Sequence, residues 1–424
     1  MNMEIGTERK PRLFYGWWIV LAGFFVVAYG TGATGYVTRT DFLFKELGSV
    51  ASKAAITLLI FSGGMAIASL AIGPLIDKFG PRKLMFVGIP VASIALLGLG
   101  FANSSLYTLL GVFAIGMSAG FLLPVQTATA NWFRKKRSIA LAIICAAPAL
   151  VGPIVKLFED QITRQFGSQS TLLGLGVVML VIGIPLALVI RHKPEQHGHV
   201  PDGGMPIFKE TIQFEKKDTP LVEVNFSLSQ AIRTKAFWIL VIAISLIGGF
   251  SILINSHRMN YLLEQGFDRK ITANFSELTA LMGLAGILLF GFLGDKFPKR
   301  YLLAIAVAIQ SLSIVILMTA GSIPQLYLYM FISGFGSGTV PLILAIRADY
   351  FGRKSFATIT VVMGLFSGII SVGFPALRGW VLDTNGSNPI FFLLSMFIGF
   401  TAGVMFIFAK PPESLQKVSA EIES

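Results

Sequence analysis

Gly73-Pro74-Leu75-Ile76-Asp77-Lys78-Phe79-Gly80-Pro81-Arg82-Lys83 closes one long apolar run, and Gly291-Phe292-Leu293-Gly294-Asp295-Lys296-Phe297-Pro298-Lys299-Arg300 closes another. Asp77 and Asp295 stand 218 positions apart, each between a helix-length apolar stretch and a short basic turn. A repeat at that distance means the chain is built twice. In each copy glycine permits a tight reversal and the aspartate can meet the N-terminus of a neighbouring helix. The cations hold the turn at a polar membrane surface. Gly73, Asp77, Gly80, Arg82 and Asp295 are therefore candidate conformational-loop residues.

The repeat extends outward from these turns. Trp132-Phe133 with Arg134, Lys135 and Lys136 matches Tyr350-Phe351 with Gly352, Arg353 and Lys354, and Gly116 and Gly120 match Gly334 and Gly338. The 424 residues are 54% hydrophobic and 13% charged, whereas roughly a quarter of an ordinary soluble domain is charged. Apolar runs of about 18 residues or more, each able to cross the hydrocarbon layer, recur from end to end. This excludes a soluble enzyme, a nucleic-acid binder and a disordered scaffold.

The expected fold is an all-α polytopic membrane protein with twelve transmembrane helices in two pseudo-symmetric six-helix bundles. The spans are expected at about 15–40, 54–76, 84–102, 106–132, 138–158, 170–190, 237–260, 271–293, 302–320, 325–346, 356–377 and 388–409. Residues 1–190 form the N-terminal bundle, 191–235 a solvated linker and 236–424 the C-terminal bundle. Two bundles related by an axis along the membrane normal imply a substrate site near the midplane between them.

The net charge of +12 reflects topology. All but nine of the 34 Lys and Arg residues fall on the side shared by the termini and the linker. The positive-inside rule then predicts both termini in the cytoplasm of a bacterial-type inner membrane. Residues 1–13 are polar, and the first apolar run is expected to be a retained helix rather than a cleaved leader. The single cysteine, Cys145, lies inside an apolar run and cannot form an intramolecular disulfide.

The two turns, in a twelve-span chain with a central linker, resemble the signature loops of the major facilitator superfamily. Phe14-Tyr15-Gly16-Trp17-Trp18, Phe44-Lys45-Glu46-Leu47, Ala345 to Arg353 and Asp383-Thr384-Asn385-Gly386-Ser387 are similar to its monocarboxylate-porter branch. That branch includes proton-linked lactate and pyruvate carriers and oxalate/formate exchangers. The resemblance implies alternating access to a carboxylate site. Its members commonly carry a Lys near the outer end of span 1, which aligns with Thr38, one before Arg39. They also carry an Asp-x-x-x-Arg in span 8, where this chain reads Gly283-Leu284-Ala285-Gly286-Ile287. The cationic role is therefore expected in spans 1, 5, 7 and 11 instead.

Charges within spans are unfavourable unless they face a bundle interior or a cavity, so each is a candidate functional residue. Lys156 and Arg378 each follow a proline by three residues, in spans 5 and 11. Arg39 and Arg258 hold nearly equivalent places in spans 1 and 7, each shortly before a Glu-x-Gly. These four cations are expected to bind an anion, with Gln126, Asn255 and Tyr36 as polar partners. The bland alternative is snorkelling to the headgroups. His257, Glu277 and Asp41 are candidate proton-coupling groups. Gln310 is a further polar group within a span, and the glycine-rich faces are expected to pack helices closely.

The expected function is secondary active transport of a small organic anion such as a mono- or dicarboxylate. Proton symport or exchange for a counter-anion would drive it. No P-loop lysine motif occurs, and no cofactor, metal, enzymatic activity or nucleic-acid partner is expected. A monomer in the lipid bilayer is expected. The rival reading is a proton-driven exporter of neutral or cationic amphiphilic compounds, for which the outer cations would be topological only.

Overall fold

The computed structural model describes residues 14–39, 50–102, 104–118, 122–203, 225–268, 275–371, 373–374, 376–377, 380–381 and 388–412. Among the described residues, nine helices are long and apolar enough to cross a membrane. The helix Arg137–Val189 counts as one of the nine at 53 residues, yet Gly167 inside it takes φ 81°. Glycine alone adopts that backbone readily, so this helix is two spans joined end to end. Two shorter apolar helices, Leu278–Gly294 and Phe356–Ser371, bring the total to twelve.

Spans 1 to 4 are Tyr15–Arg39, Val50–Phe79, Pro81–Gly100 and Leu106–Trp132; spans 5 and 6 are the two arms of Arg137–Val189. Spans 7 to 12 are Lys235–Glu264, Phe275–Gly294, Lys299–Met318, Ile323–Phe351, Phe356–Ser371 and Asn388–Phe408. Several boundaries differ from the sequence expectation, and span 10 ends at Phe351 instead of about 346. Span 5 runs past 158 as far as the Gly167 corner. Span 2 keeps Asp77, Lys78 and Phe79 helical, and the reversal is confined to Gly80 at φ 89°, after which Pro81 opens span 3. Proline suits a first helical position because its missing N–H has no intrahelical partner there.

Several hydroxyls inside the spans are satisfied locally. Ser93 donates to Ile89 O at 2.9 Å, Thr129 to Val125 O at 2.9 Å and Ser311 to Val307 O at 2.8 Å. Each bond spans one helical turn and removes an unpaired hydroxyl from an apolar setting. Leu59, Phe101, Leu157, Val181 and Ile369 point outward and exposed, as a lipid-facing surface requires.

One apolar core is drawn from residues between Ile19 and Ile190, and two more from residues between Phe226 and Ala409. The seam between these sets mixes alanines with a few larger apolar side chains. Ala130 and Leu141 meet Ala345, Ala348 and Phe356, while Ala142 and Ala146 meet Ile287. Where alanine faces the partner helix the backbones can approach closely, and van der Waals contact holds them.

The repeat is visible in hydrogen bonds. The Trp132 indole donates to Arg191 O at 3.1 Å and the Tyr350 hydroxyl to Ala409 O at 2.6 Å. Donors and acceptors are each 218 positions apart, so both copies tie span 4 or 10 to the end of span 6 or 12 in the same way.

The first part of the linker is tethered to both sets of spans. Asp202 accepts from the backbone N–H groups of Arg134 at 3.0 Å, Lys135 at 2.7 Å and Lys136 at 3.3 Å. Glu195 pairs with Arg353 at 2.9 Å. Residues 204–224 lie outside the described residues. The linker anchors arise from single acidic residues, which composition alone does not distinguish from solvated ones.

Candidate functional site

A cavity of about 550 Å³ opens between the two sets of spans. Span 5 lines it with Cys145, Pro148 and Ala149, and span 7 with Phe250, Asn255 and Arg258. Thr279 and Ile287 of span 8, Gln310 of span 9 and Tyr329, Ser333 and Ser337 of span 10 complete the wall. A smaller cavity of about 190 Å³ is lined by Thr31, Gly32 and Gly35 of span 1 and by Lys156 of span 5. Pro148, Ala149 and Ala280 border both cavities, so they adjoin.

Arg258 is buried at 7% exposure, and its guanidinium lies 4.3 Å from the centre of the Phe275 ring. The ring face steadies the cation in the cavity wall. Lys156, half-buried, brings a second cation from the other set of spans. The rest of the described wall is apolar apart from hydroxyls, the Cys145 thiol and the amides of Asn255 and Gln310, a setting of low dielectric that strengthens attraction to an anion.

The other expected residues fall elsewhere. Tyr36 is buried in the N-terminal core, and its hydroxyl shares a hydrogen bond with Thr163 Oγ1 at 2.8 Å. Gln126 is half-buried in the helix Leu122–Trp132 and is not among the residues lining either cavity. His257 sits in an aromatic nest, its ring 4.7 Å from Phe391 and 5.6 Å from Phe392. It faces span 12, while its neighbour Arg258 faces the cavity. Asp41 and Arg378 lie outside the described residues, as do the side chains of Arg39 and Glu277.

Glu159 is a buried acidic residue that the sequence reading did not single out, at 3% exposure. A span ending near 158 would leave it beyond the membrane core. Because the helix continues to the Gly167 corner, Glu159 stays inside the bundle, one turn from Lys156. Cys145, Ser333 and Ser337 also enter the cavity wall without any sequence signal, because their aim depends on helix rotation.

The two sets of spans are fastened at the end that carries the basic turns. Asp77 accepts from the backbone N–H of Ala357 at 3.2 Å and of Thr358 at 2.9 Å, and from the Thr358 hydroxyl at 2.5 Å. Asp295 accepts from Ser138 N at 2.7 Å and Ile139 N at 3.2 Å. Each aspartate thus caps the first turn of a span in the other set, where free N–H groups and the helix dipole favour an anion. Burial pushes the Asp295 carboxyl above its usual range, against the pull of the two N–H donors and Lys299.

Gly73 permits this approach, because a Cβ there would stand 3.0 Å from Thr358 Cα. Arg82 of the same turn lies over the Phe86 ring at 5.8 Å. Arg353 Nη1 donates to Asn131 O at 2.7 Å across the same seam. Gly80 meets His192, whose ring a Cβ would contact at 3.1 Å.

The stretch Gly283 to Ile287 takes a packing role. A Cβ on Gly283 would meet Gly334 O at 2.7 Å, and one on Gly286 would overlap Phe335 O. Spans 8 and 10 lie too close there for side chains, while Ile287 turns toward the cavity.

A family model described as the Major Facilitator Superfamily matches residues 20–291 and 278–422. The oxalate:formate antiporter of Oxalobacter formigenes is 22% identical over 82% of this chain and 81% of its own length. Monocarboxylate transporter 12 of Rattus norvegicus is 24% identical over 98% of this chain and 89% of its own length. The solved structure of the transporter FucP in its outward conformation superposes with a TM-score of 0.69 at 16% identity, covering 92% of this chain and 98% of that one. Twelve spans in two repeats, a cavity at the seam and crossed aspartate caps agree with these matches; the chain belongs to the Major Facilitator Superfamily and is similar to the oxalate:formate antiporter and the monocarboxylate transporters within it.

Proposed function

We propose that this protein moves a small organic anion, a mono- or dicarboxylate, by secondary active transport. The observation that carries the reading is that Arg258 and Lys156 reach adjoining cavities from opposite sets of spans. A guanidinium recognises a carboxylate through two parallel hydrogen bonds, which makes Arg258 a suitable anchor for an organic anion. The relatives named above carry formate, oxalate or monocarboxylates by name, which supports the same solute class.

Residues 1–190 and 236–424 act as two bundles that rock about the cavity. By the repeat, Arg39 and Arg378 extend the cationic set, and Asn255 and Gln310 orient the solute. The basic turns mark the cytoplasmic side of an inner membrane, with both termini there, so the fastened end described above corresponds to closure toward the cytoplasm. Proton symport or anion exchange supplies the driving force, and the working unit is a monomer.

Counterflow in proteoliposomes loaded in turn with formate, lactate and oxalate tests this. Exchange with at least one carboxylate is expected, and none with a lipophilic cation. Expulsion of lipophilic cations without any carboxylate counterflow would overturn it in favour of an amphiphile exporter.

A further inference from the structure

Arg347 is a buried cation that the site described above does not use. It stands on span 10 at 7% exposure, four residues before Phe351. At the helical rise this sets it about 6 Å inside the end that carries the basic turns. Its Nε has no hydrogen-bond acceptor. Among the described residues, no carboxylate pairs with its guanidinium. Asp349, two positions on, is taken up by Arg137 and Lys299.

The next span repeats the pattern. Spans 10 and 11 pack as an antiparallel pair across the turn at 352–355, so Phe356 answers Phe351 and Thr360 answers Arg347 at about the same depth. Thr360 is buried at 9% exposure, and its Oγ1 is without a hydrogen-bond partner. One turn beyond Arg347, Phe351 closes against Phe237 of span 7, with ring centres 6.3 Å apart. In the other direction Tyr329, Ser333 and Ser337 of the same span line the larger cavity. Ser337 is ten residues, or about 15 Å, from Arg347.

A guanidinium kept inside a membrane bundle without a counter-charge lowers the stability of the closed form, so folding alone gives no reason to retain it. Opening of the closed end requires Asp349 to release Arg137, and it parts span 10 from spans 4 and 5, where Ala345 and Ala348 pack against Ala130 and Leu141. We infer that Arg347 is a second anion station, which receives the carboxylate of the solute from the larger cavity when that end opens, with the Thr360 hydroxyl as a further donor. This rests on the anion-transport reading and adds to it a binding site beyond the cavity floor. The arriving carboxylate supplies the counter-charge that the closed form lacks, so the solute itself favours the open form.

The test uses the full chain in vesicles of defined sidedness, with labelled formate, lactate or oxalate offered to either face. For Arg347→Met, KM at the basic-turn face should rise by about 10- to 100-fold, as expected when hydrogen bonds to a charged group are lost. At the opposite face KM should stay as in wild type while the maximal rate falls. Arg347→Lys should recover part of the affinity, because the charge returns without the fork. Both variants should melt at or above the wild-type temperature in detergent without solute, since the closed form gains no contact from the guanidinium.

A basic-turn-face KM equal to wild type in Arg347→Met would overturn the inference. So would a KM raised equally at both faces, or melting well below wild type in both variants, which would make the guanidinium a structural partner of the closed form. Absence of wild-type counterflow with every carboxylate would instead remove the anion-transport reading itself, and this station with it.

Discussion

Arg137 of span 5 and Asp349 of span 10 form an ion pair at 2.5 Å that joins the two bundles at their basic end. Lys299 approaches the other carboxylate oxygen at 2.6 Å, so one aspartate balances two cations. Arg137 also donates from Nε to Phe133 O at 3.0 Å, which fixes its direction. A carboxylate shared in this way, with crossed aspartate caps beside it, makes the closed end a set of charges that must separate together.

Replacing Asp349 by Asn should therefore leave two cations facing each other. Removing one partner of a fully buried pair costs about 3–5 kcal/mol. The Asp349 side chain is 31% exposed, so about 1–3 kcal/mol is expected here after solvent screening. A lowered melting temperature in detergent and greater reactivity of the closed end toward water-soluble probes would be seen. A variant as stable as wild type, with an unreactive closed end, contradicts the latch.

Among the described residues, Arg258 is the cation that lines the larger cavity. Hydrogen bonds to charged groups contribute about 1.5–3 kcal/mol, so Arg258→Ala should raise the KM for the transported anion by about 10- to 100-fold. Arg258→Lys should recover part of this, because the charge returns but the fork does not. The measurement is initial uptake rate against solute concentration in vesicles with matched protein content. An unaltered KM in the alanine variant removes Arg258 from the binding site.

Cys145, the single cysteine of the chain, lines the same cavity. Labelling by a small thiol reagent should be slowed by the transported carboxylate and left unchanged by a sugar. Mass spectrometry of the intact protein reads this without engineered cysteines. Equal labelling with and without the solute argues against occupancy of this cavity.

His192, outside the spans, packs on Gly80, and burial together with Lys193 lowers its imidazole from 6.5 to about 4. The folded value lies below the unfolded one, so the neutral ring is favoured by folding. Stability is fully present above about pH 6.5 and declines as the pH falls toward about 4. His192→Gln should flatten that part of the melting temperature profile. A profile that His192→Gln leaves unaltered would assign the acid sensitivity to other groups.

Much of the architecture could be read from the chain because its causes are local or repeated. Apolar run length sets the spans, and the matched turns at Asp77 and Asp295 set the two-fold plan. Lys156, Arg258, Asn255 and Gln310 were reachable from sequence because a polar group in a span has few places to go. Rotation was not reachable. His257 and Arg258 are adjacent, yet successive residues on a helix point about 100° apart, and one meets Phe391 while the other meets the cavity. Glu159 was hidden for another reason. Nothing in Phe158-Glu159-Asp160 signals that the helix continues, and only the Gly167 corner fixes where it stops.

The glycine contacts between spans 8 and 10 bear on redesign. Reinstating the acidic half of the porter motif as Gly283→Asp would drive a side chain into the Gly334 carbonyl, already 2.7 Å from where a Cβ would begin. The partner position, Ile287, lines the cavity instead. A relative's charge pair cannot be grafted here intact, and changes of cargo preference would have to come through residue 287 and the cationic helices, leaving the glycine seam alone.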